Sequence, residues 1–194
     1  SSLGVIESEV IFLGGTFNIK DSTAMMRCQE ILDALNAQVD NRGYDRIYCP
    51  AWEGGHSDHD AAHLIALAFA KSRGLINNTW QFSLYNSYRM PRKLFRVMYL
   101  LNTSCESKTE HIGFSSVLKF ACLFRHYRSQ WKTWLGLAPE AVIKIIFLRR
   151  MRVQSVSTAS LFCRPHKGSL LYETRFGIPY DDFVSHTEVF RNRY

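Results

Sequence analysis

The chain lacks an apolar run long enough to cross a membrane. The apolar segment at residues 141–148 is interrupted by Lys144, and a membrane-spanning helix needs about 20 apolar residues. The N-terminus also lacks the basic start and the long apolar core of a secretory signal peptide. The sequence therefore predicts neither a membrane-spanning nor a secreted protein.

Cysteine is scarce and is not arranged as a disulfide framework. The five cysteines are an odd number, and no two of them have CxxC spacing. Cys122 lies inside an apolar run, as a buried thiol would. This usage is typical of reduced cysteines, and it predicts a cytoplasmic protein.

Negative charge is also in short supply. Lysine and arginine number 24 against 17 aspartates and glutamates, which gives a net charge of +7 and favours anionic partners. Two basic stretches, residues 89–96 and 147–152, mix cations with apolar side chains. They favour solvent-exposed helix ends, and the alternative is a non-catalytic module that binds anionic lipid or nucleic acid. Neither stretch is specific for nucleic acid.

Strand and helix patterns alternate through the first half of the chain. A β-rich run at residues 9–13 precedes an amphipathic helix that begins near Thr23, which Asp21 or Ser22 can cap. A strand at residues 46–50, an apolar helix at residues 60–72 and a strand at residues 79–85 follow. The alternation predicts an α/β fold with a mostly parallel sheet.

The second half of the sequence is less regular. Helical spacing is present at residues 116–134, and another helix is predicted from Pro139 to residue 148. Short strands are predicted at residues 160–163 and 170–172. No repeat or linker divides the chain, so residues 1–194 are predicted to form a single domain.

The densest group of metal-binding and proton-transferring side chains lies at residues 56–63, directly after a Gly-Gly pair. Three histidines and two aspartates fall within these eight residues: His56, Asp58, His59, Asp60 and His63. Because the group follows a predicted strand, it lies where α/β proteins bind ligands. Imidazole and carboxylate are also good ligands for Zn²⁺.

Two metal sites and a structural role are compatible with this group. His59 and His63 have the i, i+4 spacing of HExxH, which predicts a zincin-like metal hydrolase, although Asp60 is shorter than the glutamate of that motif. The other candidate site is the segment His56-Ser57-Asp58-His59. The structural alternative is helix capping at the surface, and we expect a structural role for His63.

The stretch from Tyr48 to Ala61 resembles an element of the PIG-L/LmbE family of zinc-dependent N-acetylglucosaminide deacetylases. That family carries His-Pro-Asp-His after a strand and before an Ala-rich helix. Here the element is His56-Ser57-Asp58-His59, with Ser57 in place of proline. Supporting similarity is present in order at residues 10–14, 127–130 and 171–183. The resemblance implies a Rossmann-like three-layer αβα sandwich.

The first motif of that family, His-Pro-Asp-Asp-Glu, is absent from the 194 residues. In the family it supplies two metal ligands and the general base. The resemblance therefore implies an N-terminally incomplete copy that lacks the first strand and its motif. It predicts weak or absent zinc binding, and little or no deacetylase activity for this chain alone, because catalytic zinc sites normally have three protein ligands.

Carried over residue by residue, the resemblance makes His59 a zinc ligand. His56 would stabilise the tetrahedral oxyanion or protonate the leaving amine, and Asp58 would orient an imidazole. The implied reaction is zinc-assisted hydrolysis of the N-acetyl amide of an N-acetylglucosamine-type conjugate. A basic surface would suit a phosphate-bearing conjugate or peripheral contact with an acidic membrane.

Overall fold

The protein has a mixed α/β fold, which confirms the fold class predicted from the sequence. The computed structural model describes residues 6, 9–39, 43–91, 94–101, 105–123, 140–141, 143–147 and 149–194. Within these residues the strands are β1 (Ile47–Pro50), β2 (Thr79–Phe82), β3 (Tyr85–Asn86), β4 (Arg96–Val97), β5 (Ser107–His111) and β6 (Arg150–Ser155). The α-helices are α1 (Leu13–Thr16), α2 (Cys28–Gln38), α3 (Ser57–Ser72), α4 (Phe114–Leu123), α5 (Leu171–Phe176) and α6 (Tyr180–Arg193).

The main sheet is open, with the strand order β1-β2-β6-β5. β1 and β2 are parallel, as the sequence predicts, whereas β6 is antiparallel to both β2 and β5. The sheet is therefore mixed, and its parallel part is the β1–α3–β2 unit. β3 and β4 pair antiparallel in a separate two-stranded sheet.

The hydrophobic core forms around α3. This helix was expected to be apolar nearly all round, and most of its side chains are buried. It packs against α2, α6 and β1, and the core includes Leu32 of α2, Trp52 before α3, and Phe183 of α6. Burial of each such side chain contributes roughly 1.5–3 kcal/mol. The predicted end of α3 is also confirmed, since Arg73 caps the helix and Gly74 follows in the left-handed region.

The prediction of a buried strand at residues 9–13 is wrong. Val10, Ile11 and Phe12 are exposed, and a helical turn begins at Leu13. A strand must pair its backbone N–H and C=O groups with a neighbouring strand, and no described strand pairs with this segment. A short apolar run does not by itself distinguish a strand from other structures.

The two short strands predicted in the last third are helical instead. Residues Thr158–Phe162 form a 3₁₀ helix. Leu170, Leu171 and Tyr172 are fully buried, but Glu173 accepts a hydrogen bond from the Leu170 N–H at 2.7 Å and so starts α5. The apolar run at residues 170–172 is therefore the buried start of a helix. Three residues are too few for their spacing to distinguish a helix from a strand.

The segment before β6 also differs from the prediction. Residues Ile143–Phe147 form a π-helical turn, and the second basic stretch continues into β6 rather than ending a helix. The predicted helix at residues 116–134 is present as α4 as far as Leu123. Residues 124–139, which include Pro139 and the segment 127–130, lie outside the described residues.

The cysteines differ in their exposure. Cys28 and Cys49 are buried, as expected, but Cys163 is exposed. Burial raises the pKa of both buried thiols to about 12, so they stay protonated at neutral pH. No helix within the described residues combines the length and the apolar character that crossing a membrane requires.

Candidate functional site

The His–Asp segment, residues 56–63, lies at the carboxyl ends of β1 and β2. β1 ends at Pro50, and the Ala51 N–H donates to the Phe82 carbonyl at 2.9 Å, which fastens the next loop to β2. Asp60 of α3 also fixes that loop, because its Oδ1 accepts the N–H groups of Glu53 and Gly54, both at 3.2 Å. The loop therefore places the start of α3 at the carboxyl ends of the parallel strands, where α/β proteins bind ligands.

The Gly-Gly pair is needed for this loop to fit. Gly54 has φ +68°, and a Cβ there would lie 2.6 Å from Cδ2 of Leu170. A Cβ on Gly55 would lie 2.0 Å from the backbone oxygen of Tyr85. Larger residues would push the loop away from Tyr85 and would move the histidines that follow.

His56 is oriented by the helix that it caps. Its Nδ1 accepts the Asp58 N–H at 3.2 Å, as an N-cap side chain does. Since Nδ1 is the acceptor, the proton of the neutral ring is on Nε2. Nε2 lies 3.6 Å from Oδ1 of Asp21, and the Phe176 ring packs edge-on against the imidazole. His56 therefore presents a positioned N–H donor.

Asp58 connects α3 to the segment before α2. Its Oδ2 accepts the Ser22 N–H at 2.7 Å, and its Oδ1 accepts the Ala24 N–H at 3.0 Å. Ala24 begins the 3₁₀ helix Ala24–Arg27 that leads into α2. The predicted cap from Asp21 or Ser22 is therefore wrong: no side chain caps this helix locally, and the Asp58 carboxylate, 36 and 34 residues away in sequence, accepts the two N–H groups. These contacts do not test whether Asp58 orients an imidazole, and that role stays a prediction.

His59 faces the loop after β2. Its ring contacts the rings of His56 and Tyr85, with centroids 5.3 and 5.4 Å apart. Its Nδ1 is buried and has no hydrogen-bond partner among the described residues. Burial, with a smaller contribution from neighbouring His56, lowers the pKa of His59 to about 4. The ring is therefore neutral at physiological pH, which is the form that binds metals.

A group of side chains that could hold a metal ion includes Asp21, which the sequence did not single out for this role. One donor atom each from Asp21, His56 and Asp58 lie within 4.8 Å of one another. Nitrogen and carboxylate oxygen donors suit Zn²⁺, but a group of this kind is not specific for it. His59, the zinc ligand implied by the resemblance, is not a member of this group.

His63 is a core residue. It is fully buried, its Nδ1 lies 2.7 Å from the Pro50 carbonyl, and its ring is near Trp52. Burial lowers the pKa of His63 to about 4. Its Nε2 has no partner among the described residues. These contacts agree with the structural role expected for His63, and the alternative pair of His59 and His63 remains a prediction.

Glu53 is a second residue near this site that the sequence did not single out. It is 1% exposed, and its carboxylate accepts hydrogen bonds from the loop after β2: Ser83 Oγ at 2.6 Å, Leu84 N at 2.8 Å, Tyr85 N at 3.0 Å and Asn86 Nδ2 at 3.1 Å. Glu53 thus fixes the backbone of Tyr85, whose ring contacts His59. Burial raises the pKa of Glu53 to about 7. No local pattern marks this residue, because its partners lie about thirty residues away.

Comparison of the chain with known protein families, curated proteins and solved structures finds no match.

Proposed function

We propose that the His–Asp segment belongs to a zinc-dependent deacetylase site that hydrolyses the N-acetyl amide of an N-acetylglucosamine-type conjugate. The observation that carries the proposal is a pair of neighbouring imidazoles with different hydrogen-bond partners. His59 is neutral and has a buried nitrogen without a protein partner, whereas His56 has an oriented N–H donor. Amide hydrolysis needs one group of each kind.

Each residue of the proposed site would have a separate role in amide hydrolysis. Zinc, when bound, supplies a Lewis acid that polarises the amide carbonyl and activates water. His59 would hold the metal. His56 would donate its Nε2 proton to the oxyanion or to the leaving amine, and Asp21 lies near enough to influence that nitrogen. Asp58 would keep the start of α3 in place through its hydrogen bonds to residues 22 and 24.

We also propose a Rossmann-like three-layer αβα arrangement for this chain. Two observations support it: the parallel β1–α3–β2 unit, and the packing of α2 on α3.

Zinc titration with calorimetry tests the role of His59. We expect the chain to bind zinc weakly and reversibly, and His59→Gln to weaken binding at least about tenfold. The matched control is His186→Gln, an exposed histidine on α6, which should leave binding unchanged. Thermal unfolding of both variants shows whether they fold.

The outcomes of the titration separate the metal sites. Equal zinc affinity in the wild-type chain and His59→Gln would refute the role of His59. Tight, stoichiometric zinc that depends on both His59 and His63 would instead support the zincin-like pair. Acetate release from an N-acetylglucosamine conjugate should be near the detection limit and should stop with a chelator or with His56→Gln. Hydrolysis that survives both treatments would refute the proposed chemistry.

A further inference from the structure

A second, basic site lies on the main sheet. A cavity of about 440 Å³ is lined by residues from β5, β6 and the segment after β4, and this volume is in the range of small-molecule sites. Among the described residues, its lining includes two arginines and a lysine and no acidic residue; the polar side chains are Ser107, Thr109, Lys144, Arg150, Arg152 and Gln154. We call it the basic cavity.

Strand register explains why the cations collect there. Side chains two residues apart on a strand lie on the same face of the sheet. Gln154 pairs with Ser107, and Arg152 pairs with Thr109, so these side chains and Arg150 share one face. The residues between them point the other way: Lys108 lies 4.0 Å from the centroid of the Trp80 ring and 3.6 Å from Glu106. Glu110 of β5 is two residues from Lys108 and therefore also lies on the opposite face.

The charge of the basic cavity comes mainly from its arginines. Lys144 is already paired, since its Nζ lies 2.7 Å from Oε1 of Glu140 and it also donates to the Val97 carbonyl. That pairing holds the segment after β4 as a wall of the cavity. Arg152 donates from Nη2 to Ser107 Oγ at 3.1 Å, which orients its guanidinium. A hydroxyl that accepts one hydrogen bond can still donate its own proton.

We propose that the basic cavity binds the phosphate of a phosphomonoester. Guanidinium groups match phosphate oxygens with paired hydrogen bonds, and Arg150 and Arg152 can supply these while Ser107 and Thr109 donate from their hydroxyls. The apolar part of the lining, Met98 and Leu100, would contact the organic group. None of these residues belongs to the His–Asp segment, so this binding does not depend on the proposed deacetylase site.

Calorimetric titration of the whole chain with glycerol 3-phosphate tests the proposal. We expect one saturable site at concentrations on the order of millimolar, with binding that weakens as sodium chloride is raised. Arg150→Gln and Arg152→Gln should each weaken binding about tenfold, as expected when one charged hydrogen-bond donor is lost. Lys108→Gln removes the same charge from the opposite face and should change binding less than about twofold.

The controls decide between a built site and general charge attraction. Equal weakening by all three substitutions, or no saturable binding to a wild-type chain with normal thermal unfolding, would overturn the proposal. Arg150→Lys keeps the charge but lacks the paired N–H donors of the guanidinium. It should therefore recover only part of the wild-type affinity, and it provides a test even if the glutamine variants fold poorly. Full recovery would refute the paired hydrogen bonds.

Vesicles distinguish the source of the phosphate. Phosphatidylcholine vesicles that contain phosphatidic acid present the same phosphomonoester on a lipid. Binding to them that glycerol 3-phosphate displaces, and that Arg152→Gln weakens, supports a lipid ligand in the basic cavity. Binding of glycerol 3-phosphate alone supports a soluble ligand. Vesicle binding that neither the competitor nor the arginine substitutions affect, without glycerol 3-phosphate binding, would refute the site.

Discussion

Replacing Glu53 with glutamine should cost stability in acid but not in mild base. The substitution keeps Oε1, which accepts the N–H groups of Leu84 and Tyr85. It also replaces Oε2, which accepts from Ser83 and Asn86, with an amide that donates. Ser83 can turn and accept, because its proton can go to a nearby carbonyl. The Asn86 side-chain amide nitrogen cannot accept a hydrogen bond, so its N–H group and the new N–H group of the glutamine face each other.

The magnitude depends on the charge of the wild-type side chain. At about pH 5 Glu53 is protonated, and the opposed N–H groups of the variant should lower the free energy of unfolding by about 2 kcal/mol. The pKa of Glu53 is about 7 in the folded protein, against 4.5 for an exposed glutamate. Since the folded state holds the proton more tightly, this stabilisation is present below pH 4.5 and is lost as the pH rises through 7. Between about pH 5 and about pH 8 the wild type should lose about 2.5 kcal/mol.

Urea unfolding of both proteins at several pH values measures the difference. The deficit of Glu53→Gln should shrink from about 2 kcal/mol near pH 5 to about zero near pH 8. His59 and His63 titrate in both proteins, so their contributions cancel in this comparison. Burial is the main cause of the raised pKa of Asp60 and the charge of Glu53 the smallest, so Asp60 also contributes nearly equally to both proteins. Glu106→Gln is the matched control: its side chain is 66% exposed, and it should change stability by less than about 0.5 kcal/mol at either pH. A deficit independent of pH would refute the reasoning.

Two further substitutions test the loop and the core. Gly55→Ala should prevent normal folding or cost more than about 3 kcal/mol, since its Cβ would meet the Tyr85 backbone; Gly113→Ala, with no atom within 4 Å of its Cβ, should be close to neutral by thermal unfolding. His63→Leu should be destabilising near neutral pH because it leaves the Pro50 carbonyl unpaired. Its deficit in urea unfolding should shrink by about 2 kcal/mol toward pH 5, since the lowered pKa of His63 makes the wild type lose stability as the pH falls from 6.5 toward 4. A deficit that grows in acid, or a harmless Gly55→Ala, would contradict these expectations.

The sequence predicted those elements whose pattern is local and long. α2 and α3 have apolar spacing over eleven and sixteen residues, and β1 and β2 are β-rich runs bounded by turn or breaker residues. A helix or strand of that kind is set mainly by side chains within one or two turns of each other. The position of the His–Asp segment after β1 follows from the same order of elements. Short runs failed, as at residues 9–13 and 170–172, because three to five apolar residues fit several structures.

The sequence by itself determined where the histidines lie along the chain and which helix carries them. Only the tertiary structure decided what surrounds them. Asp21 reaches His56, Asp58 caps the segment that leads into α2, and Glu53 holds the loop that carries Tyr85, all through contacts between residues distant in sequence. The basic cavity likewise depends on the register of β5 with β6, which brings together residues more than forty positions apart. Local patterns fix helices and strands, but the pairing and packing of those elements fix the chemistry of a site.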